Sequence, residues 1–254
     1  MVEAGAAFWA AAIPAVLLAG ISKGGFGGGL GFAATPLIAL AAGPAAAAAI
    51  MLPLLILMDQ VGIVSYWRRW SLAAALPAIA AAALGIGAGA LAFGSVPPDA
   101  LRLALGLIAL TFVAFQFAQR AGWRPRAGGR RPLRAAIWGW AAGFTSTISH
   151  AGGPPITLYL LGERLEKTAF QASTILIFWA INLMKIGPYA AIGVLDLSTL
   201  SRSLSLAPAA FAGVLIGVWA HRHVPERLYF GMMVVLLGVT GAKLAWDGAM
   251  GLLS

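Results

Sequence analysis

The residues of this sequence that could do chemistry are few, and they stand in polar or glycine-rich interruptions of apolar stretches. Lys23 lies in Gly-Ile-Ser-Lys-Gly-Gly-Phe-Gly-Gly-Gly, residues 20–29, and His150 in Phe-Thr-Ser-Thr-Ile-Ser-His-Ala-Gly-Gly-Pro-Pro, residues 144–155. A lysine at membrane depth costs at least about 2.5–3.5 kcal/mol, which an anionic partner would offset; the alternative is a shallower break from which it snorkels. The run 20–29 is too rich in glycine for a stable helix, each glycine costing about 1 kcal/mol against alanine. It instead permits positive φ and close approach of backbone to a ligand. A helix that begins after such a break turns free N–H groups and the positive end of its dipole towards it, and helix starts of this kind bind anions. Pro154 and Pro155 suit a first helical turn in the second break.

The expected substrate-binding residues are therefore Ser22, Lys23, Gly27, Gly28 and Gly29 in one break and Ser149, His150, Gly152 and Gly153 in the other. Hydroxyls of Thr145, Ser146, Thr147 and Ser149 could serve an oxyanion, or bond helix carbonyls instead. His150 could donate to an anion, carry a proton, or be a satisfied structural histidine. Asp59, Asn182 and Lys185, with Gln60, form a possible accessory polar site near the ends of later apolar segments. Lys185 either adds to the anion site or sits at the external interface.

Other chemistries are excluded or unsupported. With no cysteine, disulfides, thiolate metal sites and cysteine nucleophiles are ruled out. No Ser–His–Asp arrangement, His-Glu-x-x-His motif or phosphate-binding loop occurs, so neither an enzyme, a metal site nor a cofactor is expected. His221 and His223 flank Arg222 in a short basic loop, which reads as a topology signal.

The elements that must position these residues are membrane helices. Of the 254 residues 61% are hydrophobic and 10% charged, against about 25% charged in soluble domains, so much of the surface must face lipid. Apolar segments run over 7–21, 29–43, 44–65, 71–94 and 99–119, then 135–149, 153–162, 169–188, 202–220 and 226–246. The later three of each set approach the roughly 20 residues of a full span; the first two are shorter. The N-terminus lacks the basic region of a signal peptide, so the first segment is expected to be retained.

The two sets read as copies. Gly28-Gly29 aligns with Gly152-Gly153, Tyr66 with Tyr189, Pro77 with Pro208, and Ser-Val-Pro-Pro-Asp-Ala-Leu-Arg (95–102) with His-Val-Pro-Glu-Arg-Leu-Tyr (223–229). The expected organisation is a first repeat over 1–119, an Arg-rich linker over 120–134 and a second repeat over 135–254. The +9 net charge could suggest nucleic acid, but six arginines crowd into 120–134, as in a cytoplasmic loop. Arg68 and Arg69, and later Arg222 and Arg227, fall on that same side, whereas the loops at 95–98 and 189–201 carry no basic residue. Corresponding loops thus have opposite charge character, as inverted-topology repeats require. The fold expected is an all-α polytopic membrane protein of two such repeats, each a re-entrant or broken helical hairpin plus three transmembrane helices. Inversion would place Asp59 and Lys185 towards opposite faces, which argues against a direct salt bridge between them.

At these breaks the sequence resembles the TauE/SafE family of sulfite exporters, also called TSUP permeases. Gly25-Phe26-Gly27-Gly28-Gly29 with Pro36, and Gly152-Gly153-Pro154-Pro155 after the basic linker, carry the resemblance; Ala151 stands where a third glycine would match. The resemblance implies export of sulfite, sulfoacetate or another organosulfonate across the cell (inner) membrane. Alternating access about the two breaks would make it a secondary transporter; the rivals are a passive anion channel and a metal-cation exporter. The partners expected are a small anionic substrate and the lipid bilayer, without nucleic acid, homo-oligomerisation being left open.

Overall fold

The computed structural model describes residues 5–25, 34–122, 131–220 and 226–253. Every regular element among them is helical: α1 (Ala6–Gly25), α2 (Ala34–Ala42), α3 (Pro44–Ser65), α4 (Leu72–Ser95), α5 (Pro98–Arg120), α6 (Arg131–Ser149), α7 (Gly153–Leu161), α8 (Lys167–Met184), α9 (Ile186–Ala191), α10 (Leu197–Ala220) and α11 (Glu226–Leu253). Five apolar stretches are long enough to cross a bilayer: Pro44–Ser65, Leu72–Phe93, Pro98–Ala118, Thr168–Ala191 and Leu197–Gly217. Large apolar side chains such as Leu76, Leu84 and Leu91 of α4 point outward, where lipid is their natural solvent. The protein is an all-α, multi-pass membrane protein.

Local chemistry sets the helix ends. Gly43 turns the corner between α2 and α3 at φ 82°, and Pro44 opens α3, each supplying the backbone geometry its position needs. Ser71 Oγ accepts the Ala74 N–H at the start of α4, and Asp196 Oδ1 accepts the Thr199 N–H at 2.6 Å at the start of α10, both as N-caps. The expected segment 169–188 is divided at Lys185. Pro188 has no N–H to offer the Met184 carbonyl, so the helical ladder loses a rung there.

Side-chain registers fix the helix directions. Gln60 Oε1 accepts the Trp179 indole N–H at 2.8 Å, Asp59 accepts from Asn182 and Gly62 abuts Ile175, so α3 and α8 are antiparallel. Gly106 packs at Gly241 and Ala245 while Gly248 packs at Asp99 and Leu103; α5 and α11 are antiparallel too. By contrast α1 runs parallel to α10, and α6 parallel to α4, with backbones nearly touching. A Cβ on Gly20 would lie 2.7 Å from the Ala210 carbonyl oxygen, and one on Gly213 2.6 Å from that of Leu17. In the other pair a Cβ on Gly139 would lie 2.5 Å from the Ala78 oxygen, and one on Gly89 2.9 Å from Thr147 Cβ. Small residues four apart on both partners let membrane helices approach this closely.

That packing corrects one expectation. The run from Gly20 was expected to be non-helical, yet α1 continues through Ser22 and Lys23 to Gly25. Gly20 and Gly24 are pressed against α10, and the backbone contact they permit offsets their poor helix propensity of about 1 kcal/mol each. Gly27, Gly28 and Gly29 lie outside the described residues. The opening helices α1 and α6 have 20 and 19 residues, longer than the segments expected at 7–21 and 135–149 and, at 1.5 Å per residue, about 30 Å long.

In the second half the hairpin is explicit. Arg134 near the start of α6 donates to the Tyr159 carbonyl at 3.3 Å and to Glu163 Oε1 at 2.8 Å, just beyond α7. The chain therefore descends through α6, breaks at 150–152, and returns through α7 towards the end from which it set out.

Candidate functional site

Lys23 from the first break and His150 from the second meet Asp59 of α3 and Lys185 just after α8. Asp59 lies six residues before Ser65, the last residue of α3, which places it about 9 Å along the axis from that end. It is 2% exposed. The Lys23 ammonium, brought in by the last turn of α1, pairs with Asp59 Oδ1, and Asn182 Nδ2 donates to Asp59 Oδ2 at 2.6 Å. Lys23 also lies 5.9 Å from the centre of the Phe178 ring, within reach of a cation–π attraction. This first cluster balances one positive charge with one negative.

The second cluster surrounds Lys185, which has no exposed surface. Its Nζ lies 2.7 Å from His150 Nδ1, 3.0 Å from Ser146 Oγ and 3.1 Å from the Ser146 carbonyl oxygen. His150 Nε2 is 3.0 Å from the Ala48 carbonyl oxygen. A carbonyl can only accept, so Nε2 carries the proton and Nδ1 is a bare acceptor, which makes the imidazole neutral. Three acceptors then meet the three N–H donors of an ammonium. The Lys185 ammonium is 6.0 Å from the Tyr189 ring centre, and the Tyr189 hydroxyl holds the end of α6 by donating to the Thr147 carbonyl. Among the described residues no carboxylate forms an ion pair with Lys185.

The structure thus assigns contacts that the residue types left open. Asp59 and Lys185 form no salt bridge; the carboxylate goes to Lys23 and Asn182. Lys185 lies inside, beside the second break. Ser22 is fully buried on α1. Ser149 Oγ donates to the Thr145 carbonyl at 3.1 Å, Thr147 Oγ1 to that of Gly143 at 2.8 Å, and Thr145 Oγ1 to those of Ala141 and Ala151. Only Ser146 in that row reaches a charged group. The positive φ of the second break falls on His150, at 55°, rather than on a glycine. Gly152 instead serves close approach: a Cβ there would lie 2.9 Å from the Ala142 carbonyl oxygen and 3.0 Å from the Phe178 ring. Gly153 opens α7, followed by the two prolines, which bring no N–H of their own.

One residue was missed in the sequence. Thr35, second in α2, is fully buried and its hydroxyl has no hydrogen-bond partner among the described residues. It stands at a helix start, where a Thr-Pro pair after a glycine run is a legible signal. The two clusters together offer a part-buried and a fully buried lysine, one carboxylate and an imidazole. Such a set suits a small anion and repels a free cation.

The family model described as sulfite exporter TauE/SafE matches residues 12–244. Neither a curated protein nor a solved structure gives a match.

Proposed function

Because the chain belongs to the TauE/SafE family of sulfite exporters, we propose that it is a secondary transporter that exports a small sulfur-containing oxyanion by alternating access. Sulfite, sulfoacetate and other organosulfonates are the candidate cargoes. The single observation that carries this reading is Lys185, a buried lysine with hydrogen-bond partners but, among the described residues, no counter-charge of its own. A lone buried charge is costly, and an arriving anion would relieve that cost. Ser22 and Lys23, the latter already paired with Asp59, would border the anion on one side. Lys185, Ser149, His150 and the amides of Gly152 and Gly153 would hold it from the other, with those of Gly27–Gly29 adding direction.

The alternating part of the proposal rests on the helix directions. With α3 against α8 and α5 against α11 antiparallel, and α1 with α10 and α6 with α4 parallel, the halves 1–119 and 135–254 pack as inverted copies would. Rocking of such halves opens a shared site to each side in turn. Arg68 and Arg69 after α3, Arg120 at the end of α5 and Arg134 near the start of α6 fall at one end of this arrangement. The positive-inside rule puts that end, and the linker 120–134, in the cytoplasm of a cell (inner) membrane. A metal-cation cargo is disfavoured by two lysines against one carboxylate.

The test is counterflow of labelled sulfite in proteoliposomes. Unlabelled sulfite on the far side should accelerate uptake by the native protein, which a passive channel cannot do. Lys185→Gln should reduce the accelerated flux by at least about tenfold, the loss of roughly 1.4 kcal/mol of binding. Native flux in Lys185→Gln would remove the site from consideration.

A further inference from the structure

The buried polar set has a countable charge. Lys23 and Asp59 cancel as an ion pair, and His150 is neutral because Nε2 faces a carbonyl and Nδ1 faces Lys185. Lys185 is assigned the positive charge of an ammonium, because the three groups around its Nζ match the three N–H donors of that form. The remaining ionisable group in contact with the set, Tyr189, donates its hydroxyl proton to the Thr147 carbonyl and is neutral. Among the described residues the set therefore carries one net positive charge, because Asp59 offsets one of the two lysines. In the sequence Asp59 is the only acidic residue between Glu3 and Asp99, so no carboxylate nearby along the chain could take its place.

We propose that Asp59 determines the charge of the cargo: it holds the site at a single positive charge, so the transporter selects oxyanions bearing one negative charge over those bearing two. The inference rests on the anion-site reading given above and narrows it. A hydrogen sulfite or a simple alkanesulfonate neutralises Lys185 and leaves a loaded site with no net charge. A sulfate, a fully ionised sulfite or a sulfoacetate leaves one negative charge buried without a partner. Away from water such an excess is strongly disfavoured. Asp59 also lies where an anion drawn to Lys23 would go, so the protein's own carboxylate fills one of two cationic seats and leaves the cargo the other. Electroneutral loading has a kinetic consequence as well. The loaded form crosses as a neutral unit while the empty form must move a buried charge, so exchange of anion for anion runs faster than net export.

The experiment compares two oxyanions of similar size, methanesulfonate with one charge and sulfate with two, by equilibrium binding to the purified protein in detergent. The native protein should prefer methanesulfonate by about tenfold or more in Kd. In Asp59→Asn, where both lysines are uncompensated, the order should invert in favour of sulfate. Lys23→Met combined with Asp59→Asn restores a single positive charge and should restore the native order. The change in ratio between variants cancels the different hydration of the two anions. Sulfate present during purification should stabilise Asp59→Asn as a ligand of its folded state. If that variant still fails to fold, the native ratio and the double variant decide: a preference for sulfate in either overturns the proposal. An unchanged ratio in a folded Asp59→Asn overturns it as well, while leaving the anion site standing. Binding of neither anion to the native protein removes the anion site and this inference together.

Discussion

The Lys23 and Lys185 clusters lie side by side in the molecule and solve the same problem differently. Each brings a lysine and a partner from the lysine's own half into an apolar interior, and the other half contacts that partner: Asn182 on Asp59, and the Ala48 carbonyl on His150. At Lys23 the partner is a carboxylate, itself held by Asn182. At Lys185 the partners are a neutral imidazole and the carbonyl and hydroxyl of Ser146, so the charge is solvated but not cancelled. The first cluster balances its charge, whereas the second leaves a positive charge that no carboxylate among the described residues offsets. Two lysines of one interior thus stand differently: Lys23, part-buried, is paired with a carboxylate, while Lys185, fully buried, has no carboxylate partner among the described residues.

The largest expected effect breaks this contrast at its structural side. Lys23→Ala leaves the Asp59 carboxylate buried with only Asn182, and removal of one member of a buried pair costs about 3–5 kcal/mol. Replacing both members, as Lys23→Met with Asp59→Asn, should recover most of that loss, since the pair as a whole contributes little net stability. Thermal unfolding in detergent measures both, and a Lys23→Ala protein as stable as the native one would mean that the pair is not formed. A smaller loss is expected at the other lysine. Lys185→Gln gives up hydrogen bonds worth about 1–3 kcal/mol but also removes a buried charge without a counter-ion, so the net change in stability should fall below that of Lys23→Ala. A larger loss would show that Lys185 is chiefly structural.

The class of fold was legible in the sequence because lipid imposes composition and length on every span. The second break was legible too, since Gly152-Gly153-Pro154-Pro155 combines residues that end one helix with residues that begin another. The partner of Lys23 was not. The energetic cost of a buried lysine pointed to an anion, but the anion is Asp59, 36 residues further along. That meeting depends on α1 and α3 lying together, which no local pattern encodes. The continuation of α1 through Gly20 and Gly24 was hidden for the same reason, because the contact that favours it comes from Ala210 to Val214 on α10. Residue types announced a polar site in the membrane; which lysine was already neutralised depended on tertiary pairing.

The smallest expected effect tests whether the Lys185 cluster is already satisfied before cargo arrives. All three N–H donors of Lys185 are engaged in this conformation, so an oxyanion that takes one must displace a protein acceptor. Ser146 Oγ, at 3.0 Å, is the easiest to displace, because a hydroxyl turns about one bond while the carbonyl and the imidazole are fixed by α6 and Ala48. Ser146→Ala removes that competitor in advance. The empty protein should lose a little stability, and the oxyanion should bind about two- to tenfold more tightly, the equivalent of one net hydrogen bond of 0.5–1.5 kcal/mol. Thr147→Val, whose hydroxyl is returned to its own helix at Gly143, serves as the control and should leave affinity unchanged. Weaker binding in Ser146→Ala would mean that the hydroxyl touches the cargo directly. The two clusters would then differ in charge alone, and the second could no longer be described as a site whose acceptors stand in for its ligand.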